Sequence, residues 1–584
     1  MFSDVLAVIG ASGARIASMR THCQVRTRMS FLPLETTLPV AAGMSQELNR
    51  VRSMIESAQF LDALGALGSL AAQDIRHAQS SQVWLHIGFV YTRMGLWPRA
   101  IEALQMALQL EPRMPDAQRL LALAYFSVGQ KRKACELIDQ ACKNRKDIPA
   151  HWLMRAYLHA HSFTDPLRTL QSAQDWGRRV ADPMTRQAPV LQVRDRNPRK
   201  RLKVGYVTAD FRTHSVAFFM RPVLEQHDPD CVDVYVYSNA NVSLSDAVTA
   251  QMRALVPHWN EVADLSDEQM YARIRDDGID VLVDLSGFTA GHRLEVFARR
   301  PAPVQLTWIG YMNTLGMKAM DYRLADVYTA PPEHAAYYSE ALFQLEYSAC
   351  YIPPAYAPLC EEPPMLRNGY PTLVSLNSSA KITDDMLTIW SRILEARTDA
   401  RLIIMVKEQD ADSAQAHMQP RVEAAGMPLD RVSVLHQQPL ERFMEIGHIA
   451  DIQLDTFPVC GGTTTWHALW MGLSIVTLEA ERGVDGCTAQ LLRAFGSGGK
   501  VAKDADGYVE AALELMDDAE RLQRQRLSTR AGMQASAWMD YPARTRELEK
   551  AYRVMWLNWL RGDKLNLSSS VDLDQLLAEM EIEA

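Results

Sequence analysis

The chain has 584 residues, 48% hydrophobic and 22% charged, a balance that fits a soluble globular protein of three to four domains at about 150 residues each. With 61 Lys and Arg against 70 Asp and Glu the formal charge is −9, which excludes the overall basic footprint of a nucleic-acid binder. No apolar run approaches the ~18 residues of a membrane span, and the cysteines form no C-x-x-C pair, which fits a reducing, cytoplasmic setting and no zinc framework.

Residues 5–34 contain no acidic residue but include Arg15, Arg20, Arg26 and Arg28. These arginines follow the short apolar stretch Val5–Ile9, the wrong order for a signal peptide. Residues 1–45 are therefore expected to be disordered, or to contain the true start at Met29 or Met44.

A repeat comes next. Offsetting the chain by 34 residues superposes Gly88 on Ala122, Tyr91 on Tyr125, Gly95 on Gly129, Ala100 on Ala134 and Ala107 on Ala141. Small residues at these positions let the two helices of a hairpin approach closely. Trp84, Gly88, Tyr91, Ala100, Ala107 and Pro112 resemble a tetratricopeptide repeat. Trp152, Ala156 and Tyr157 suggest a third copy, and Ala63–Ala72 a partial earlier one. The repeats are assigned to residues 46–185, a solenoid whose concave face binds a protein or peptide.

Past Arg201 the pattern alternates between strand and helix. Apolar runs predict strands at Leu202–Thr208, Val232–Ser238, Val281–Leu285 and Val304–Ile309. A second series follows at Thr372–Leu376, Arg401–Val406, Val432–Leu435, Ile452–Asp455 and Ser474–Leu478. The proline-rich stretch 351–371 reads as a linker between two doubly wound domains, 200–350 and 372–562. The tail, 563–584, is expected to be solvated.

Three strand ends carry the chemistry. Cys460-Gly461-Gly462-Thr463-Thr464-Thr465 opens a helix with glycines that admit a ligand and hydroxyls that donate to phosphate oxygens. Asn377-Ser378-Ser379-Ala380-Lys381 places a lysine where it neutralises a departing diphosphate. Asp210-Phe211-Arg212-Thr213-His214 places a histidine at the cleft, able to bind an acceptor or move a proton. Taken singly each has a plainer reading: a helix cap, a solvated lysine, a hydrogen-bonded structural histidine.

Together the motifs are more specific. RLKVGYVTAD (201–210), DGIDVLVDLSG (277–287), FARRPAPVQLTWIG (297–310), Asp321-Tyr322, YSE (338–340), Asn377–Thr383, LDTFPVCGGTTTWHALWMG (454–472) and ELEKAYRVMW (547–556) occur in that order. Residues 201–560 thereby resemble the catalytic region of the protein O-GlcNAc transferase and SPINDLY family. The resemblance implies an α/β GT-B fold, two doubly wound Rossmann-like domains preceded by an all-α tetratricopeptide-repeat solenoid. It implies an inverting, metal-independent glycosyltransferase with no cofactor beyond its nucleotide-sugar donor.

That donor is expected to be UDP-GlcNAc, with GDP-fucose or UDP-glucose as alternatives, and the acceptor a protein Ser or Thr hydroxyl reached through the repeat face and the cleft. In the resemblance Lys381 stabilises the leaving diphosphate and His214 acts as base or acceptor ligand. Asn377, Ser378, Gly461, Gly462, Thr463, Thr464, Thr465 and His467 hold the nucleotide sugar, while Asp277, Gln305 and Tyr311 serve the acceptor side. The sequence departs from the pattern at His467, where the family has an acidic residue, and at Val484-Asp485-Gly486-Cys487, which replaces a Ser-Arg-Val segment. Gly462-Thr463-Thr464-Thr465 is closer to the SPINDLY branch. Two other readings are an asparagine or glycan glucosyltransferase of bacterial adhesins and a repeat-based interaction protein with an inactive transferase half.

Overall fold

The computed structural model describes residues 45–583 except 74–76, 78, 409, 481–482 and 497, so the expectations for the first 44 residues lie outside the described residues. The chain divides into two compact units, Met1–Leu158 and His159–Ala584.

The first unit is helical. Its helices include Ser81–Met94, Trp97–Leu110, Pro115–Ser127, Lys131–Asn144 and Pro149–Ala160, and the starts at Ser81, Pro115 and Pro149 recur at the 34-residue offset. The repeated alanines Ala100, Ala107, Ala134 and Ala141 are fully buried, as a close helix–helix approach requires. Gly95 (φ +72°) and Gly129 (φ +78°) end equivalent helices in the left-handed conformation, which a side chain would strain. The surface repeats as well: Arg99 lies over the Tyr91 ring at 5.9 Å and Lys133 over Tyr125 at 5.2 Å. Trp152, Ala156 and Tyr157 are buried, with Tyr157 edge-on to Phe126, so the third copy is a packed helix.

The second unit contains two parallel sheets. Strands β1 (Leu202–Thr208), β2 (Val232–Ser238), β3 (His258–Glu261), β4 (Val281–Asp284), β5 (Val304–Thr307), β6 (Tyr322–Ala325) and β7 (Ala341–Gln344) form the first, in the order β3-β2-β1-β4-β5-β6-β7. Strands β8 (Thr372–Ser375), β9 (Arg401–Met405), β10 (Val432–Leu435), β11 (Ile452–Leu454), β12 (Ser474–Leu478) and β13 (Gly499–Ala502) form the second, ordered β10-β9-β8-β11-β12-β13. The strand order reverses between β1 and β4 in one sheet and between β8 and β11 in the other. These are the switch points beyond whose carboxyl ends doubly wound sheets bind ligands. The predicted strands are all present. The four unpredicted ones, β3, β6, β7 and β13, are four residues each, and none is apolar throughout.

Two boundaries move. Helix Pro166–Trp176, assigned to the repeats by sequence, belongs to the second unit. Trp176 is fully buried edge-on against Phe288, and the Asp182 carboxylate accepts the Lys318 N–H at 3.1 Å. At the other end, helix Tyr541–Arg561 follows the second sheet in sequence but packs into the core of the first through Leu548, Tyr552, Met555 and Trp556. A buried chain of polar groups fastens it: Glu549 to His227 Nδ1 (2.9 Å), His227 Nε2 to Tyr206 OH (2.8 Å) and Tyr206 OH to Tyr552 OH (3.0 Å). The tail is not merely solvated. The Gln344 N–H on β7 donates to Leu567 O at 2.7 Å, and helix Leu573–Glu583 buries Leu576 and Leu577 in the same core. An edge strand's open N–H and an amphipathic tail satisfy each other there.

Candidate functional site

The second sheet builds its carboxyl edge around one carboxylate. Asp455, one residue past β11 and 1% exposed, accepts from Asn377 Nδ2, from Gly461 N–H and from the Thr477 hydroxyl, each at 2.8 Å. Its own carbonyl accepts the Tyr508 hydroxyl at 2.8 Å. These bonds tie the loop after β8 to the loop after β11, across the switch point. Gly461 has no room for a side chain, because a β-carbon would collide with the Thr465 hydroxyl. Helix Thr463–Met471 is preceded by Gly462, which gives it no side-chain cap, and a β-carbon on Gly462 would meet open space. The positive end of this helix is thus left for an anion. Lys381 lies beside it, its Nζ donating to Cys460 O at 2.7 Å.

Within this loop the predicted ligand contacts separate into two groups. Gly462, Thr463 and Thr464 are half-exposed, as are Ser378 and Lys381. Asn377 and Thr465 instead form the framework. Asn377 is 1% exposed and bonded to Asp455 and to the Thr464 hydroxyl (3.1 Å), while Thr465 is fully buried against Thr488 at 2.9 Å. These bonds make Asn377 and Thr465 supports of the loop, where the sequence expected Asn377 to hold the nucleotide sugar and the Thr465 hydroxyl to donate to phosphate; the Thr464 hydroxyl likewise donates to Asn377 Oδ1.

In the first half the loop after β1 carries Asp210, Arg212 and His214. His214 Nδ1 accepts the Val216 N–H at 3.4 Å and lies 3.5 Å from Asp210 Oδ1, which pairs with Arg212 at 3.4 Å. Burial, Arg212 and Lys407 pull the imidazole down to about 3, so it is neutral at physiological pH. Burial pushes the Asp210 carboxyl up to about 7, against the pull of Arg212. Lys407 follows β9 in the other half, so the two halves share an electrostatic field at this point.

Four predicted residues have other surroundings. Asp277 precedes β4, at the end of the sheet opposite the cleft, where its carboxylate accepts the Tyr237 hydroxyl at 2.8 Å. Gln305 is fully buried inside β5, donating to Phe297 O and Ala319 O. Tyr311 does follow the carboxyl end of β5, but it is 3% exposed and packs edge-on against Phe288. His467 is 4% exposed and bonded through Nδ1 to the Tyr351 hydroxyl at 2.6 Å, with Phe218 edge-on at 4.9 Å. Burial holds its imidazole down to about 3. Phe218 comes from the first half, Tyr351 from the connecting segment and His467 from the second, so this histidine joins the halves.

Sequence reasoning missed Asp455, Thr488, Tyr351 and Lys407. An acid directly after a strand and before the glycine loop was a signal for Asp455; nothing local marks the others.

Residues 184–352 and 372–548 match the model of Glycosyl transferase family 41. Over 420 residues the chain is 36% identical to a Solanum lycopersicum protein named "Probable UDP-N-acetylglucosamine--peptide N-acetylglucosaminyltransferase SPINDLY", the alignment covering 70% of this chain and 44% of that one. It is 38% identical over 369 residues to the Hordeum vulgare protein of the same name, covering 62% and 39%. The chain therefore spans less than half the length of these relatives. A solved mutant of a Thermobaculum terrenum O-GlcNAc transferase superposes with a TM-score of 0.79 at 32% identity, covering 90% of this chain and 99% of that one. Among the described residues no helix is long and apolar enough to cross a membrane.

Proposed function

The chain belongs to glycosyl transferase family 41, and from that premise we propose that it transfers N-acetylglucosamine from UDP to the hydroxyl of a protein serine or threonine. The observation that carries this reading is the uncapped helix start at Gly462 beside Lys381, an anion site fixed by Asp455. The donor's diphosphate lies against the N–H groups of Gly462–Thr464. As the bond from the anomeric carbon to the diphosphate breaks, Lys381 and the helix end offset the charge that grows on the leaving oxygen.

The acceptor hydroxyl approaches from the first half and bonds to the anomeric carbon on the opposite face. His214, neutral and partly open to the cleft, accepts the hydroxyl's hydrogen bond and orients it. An imidazole held this far below its ordinary range is a weak proton sink, so the hydroxyl proton passes to an oxygen of the departing diphosphate. The helical repeats hold the acceptor polypeptide.

Calorimetric titration with UDP and GDP, followed by intact-mass analysis of co-expressed acceptor proteins with UDP-GlcNAc, tests the reading. Selective UDP binding with a mass gain on Ser or Thr supports it. Selective GDP binding replaces it with a fucose donor. A gain on asparagine replaces the acceptor class, and binding of neither nucleotide overturns the donor site.

A further inference from the structure

The loop that carries His214 is fastened from outside by a carboxylate. Asp246, in the connection after β2, divides its two oxygens between different tasks. Oδ1 caps helix Ala247–Ala254, accepting the Thr249 N–H at 3.1 Å and the Thr249 hydroxyl at 3.3 Å. That hydroxyl accepts the Asp246 N–H at 3.2 Å, which completes a capping box. Oδ2 takes no part in the cap. It accepts the Thr213 N–H at 2.8 Å, across 33 residues of chain.

Thr213 directly precedes His214. Upstream of it, the Asp210 N–H donates to the Thr208 hydroxyl at 3.0 Å and the Arg212 N–H to Asp210 O at 2.9 Å. Downstream, the Ala217 N–H donates to His214 O at 3.1 Å as helix Ala217–Gln226 begins. Thr213 itself is exposed, so hydrogen bonding rather than packing sets its place. Burial works to raise the Asp246 carboxyl, but the N–H and hydroxyl groups of Thr213 and Thr249 more than offset it, and the group stays below the ordinary carboxylate range. It is an anion at neutral pH and a strong acceptor for both partners.

We propose that Asp246 is a positioning residue for the transfer reaction, setting through Thr213 the direction from which His214 meets the acceptor hydroxyl. This rests on the role of His214 in the function proposed above. A group that orients a reactant is only as exact as its own backbone, and a misplacement of about 1 Å costs up to about 10²-fold in rate. The division of the carboxylate makes its two tasks separable. Serine caps a helix about as well as aspartate, but its single oxygen is then committed to Thr249 and does not serve Thr213. Asparagine keeps the size and offers one acceptor where two are needed.

The test is Asp246→Ser and Asp246→Asn, each made in the full chain and in a His214→Gln chain. Thermal melts and calorimetric titration with UDP are set beside steady-state transfer from UDP-GlcNAc to a synthetic peptide. The peptide spans the Ser or Thr that gains mass in the co-expression analysis. Expected for both variants is an unchanged melt, UDP affinity within about twofold, and kcat about tenfold lower. In the His214→Gln chain the same substitutions should cost less than about twofold, because the residue they position is gone. Thr249→Val breaks the capping box but leaves Oδ2 with Thr213, and should keep kcat within about twofold.

An unchanged kcat in Asp246→Ser overturns the proposal and leaves the role of His214 standing. The full loss in the His214→Gln chain, or an equal loss in Thr249→Val, overturns it in favour of general support of the fold. An unmodified chain that transfers no sugar overturns the proposed function itself, and the role of Asp246 falls with it.

Discussion

The carboxyl edges of the two sheets use opposite designs. The second sheet gathers its loops around a single buried acceptor, Asp455, and every donor that reaches it is matched. That network leaves the half-exposed edge formed by Lys381, Gly462, Thr463 and Thr464 with little freedom to move, as a site built to meet charge requires. The first sheet instead buries titratable groups close together. Asp210, Arg212 and His214 lie within a few residues of one another; burial raises the Asp210 carboxyl against the pull of Arg212, and burial, Arg212 and a lysine from the other half lower the His214 imidazole. One edge is a hydrogen-bonded frame that presents a lysine; the other packs an aspartate, an arginine and a neutral histidine together. In the function proposed above, the nucleotide diphosphate lies at the first and the acceptor hydroxyl at the second.

Removing charge from the second sheet's edge should cost most. Lys381→Ala is expected to lower turnover by about 10³, close to 4 kcal/mol of transition-state stabilisation, while donor affinity falls far less. Steady-state kinetics alongside calorimetry checks this, and equal losses in both would reduce Lys381 to a binding group. Asp455→Ala leaves Asn377, Gly461 and Thr477 without their acceptor. The expected loss is about 3 kcal/mol of folding stability together with donor binding, read by denaturant melts and titration.

On the first sheet's edge, His214→Gln should lower turnover by about 10² with UDP affinity unchanged. Because His214 is already neutral, any limb of the pH profile near neutrality belongs to Asp210, titrating at about 7, and should persist in His214→Gln; a limb that disappears in that variant would contradict the assignment.

The smallest effects belong to the junction between the halves. Tyr351→Phe removes the hydrogen bond to His467 and should cost about 1 kcal/mol by thermal melt. His467 also predicts a pH effect on stability. Its imidazole is held at about 3 in the folded chain against 6.5 when unfolded. The unfolded chain therefore gains protons that the folded one refuses as pH falls below 6.5, and stability declines toward acid until about pH 3. His467→Phe should flatten that decline in melts recorded across this range.

The nine predicted strand runs, the 34-residue period and the glycine loop are local patterns, so the sequence by itself determined the helical repeats and the two doubly wound halves. The placement of Lys381 and His214 was legible for the same reason: each sits a few residues past a strand, and in a parallel sheet every carboxyl end faces the same side. Tertiary structure decided which polar side chains face a ligand and which hold the loop. Asn377 and Thr465 look like their exposed neighbours in sequence, but they are consumed by Asp455 and Thr488, partners 78 and 23 residues away. His467 read as one of the nucleotide-sugar contacts until Tyr351 and Phe218 enclosed it. Asp277 lay in a matching motif but on the wrong end of its strand, and helix Tyr541–Arg561 crossed back to the first sheet. In each case the deciding contact is long-range, and a side chain's burial is set by what packs over it rather than by its neighbours in the chain.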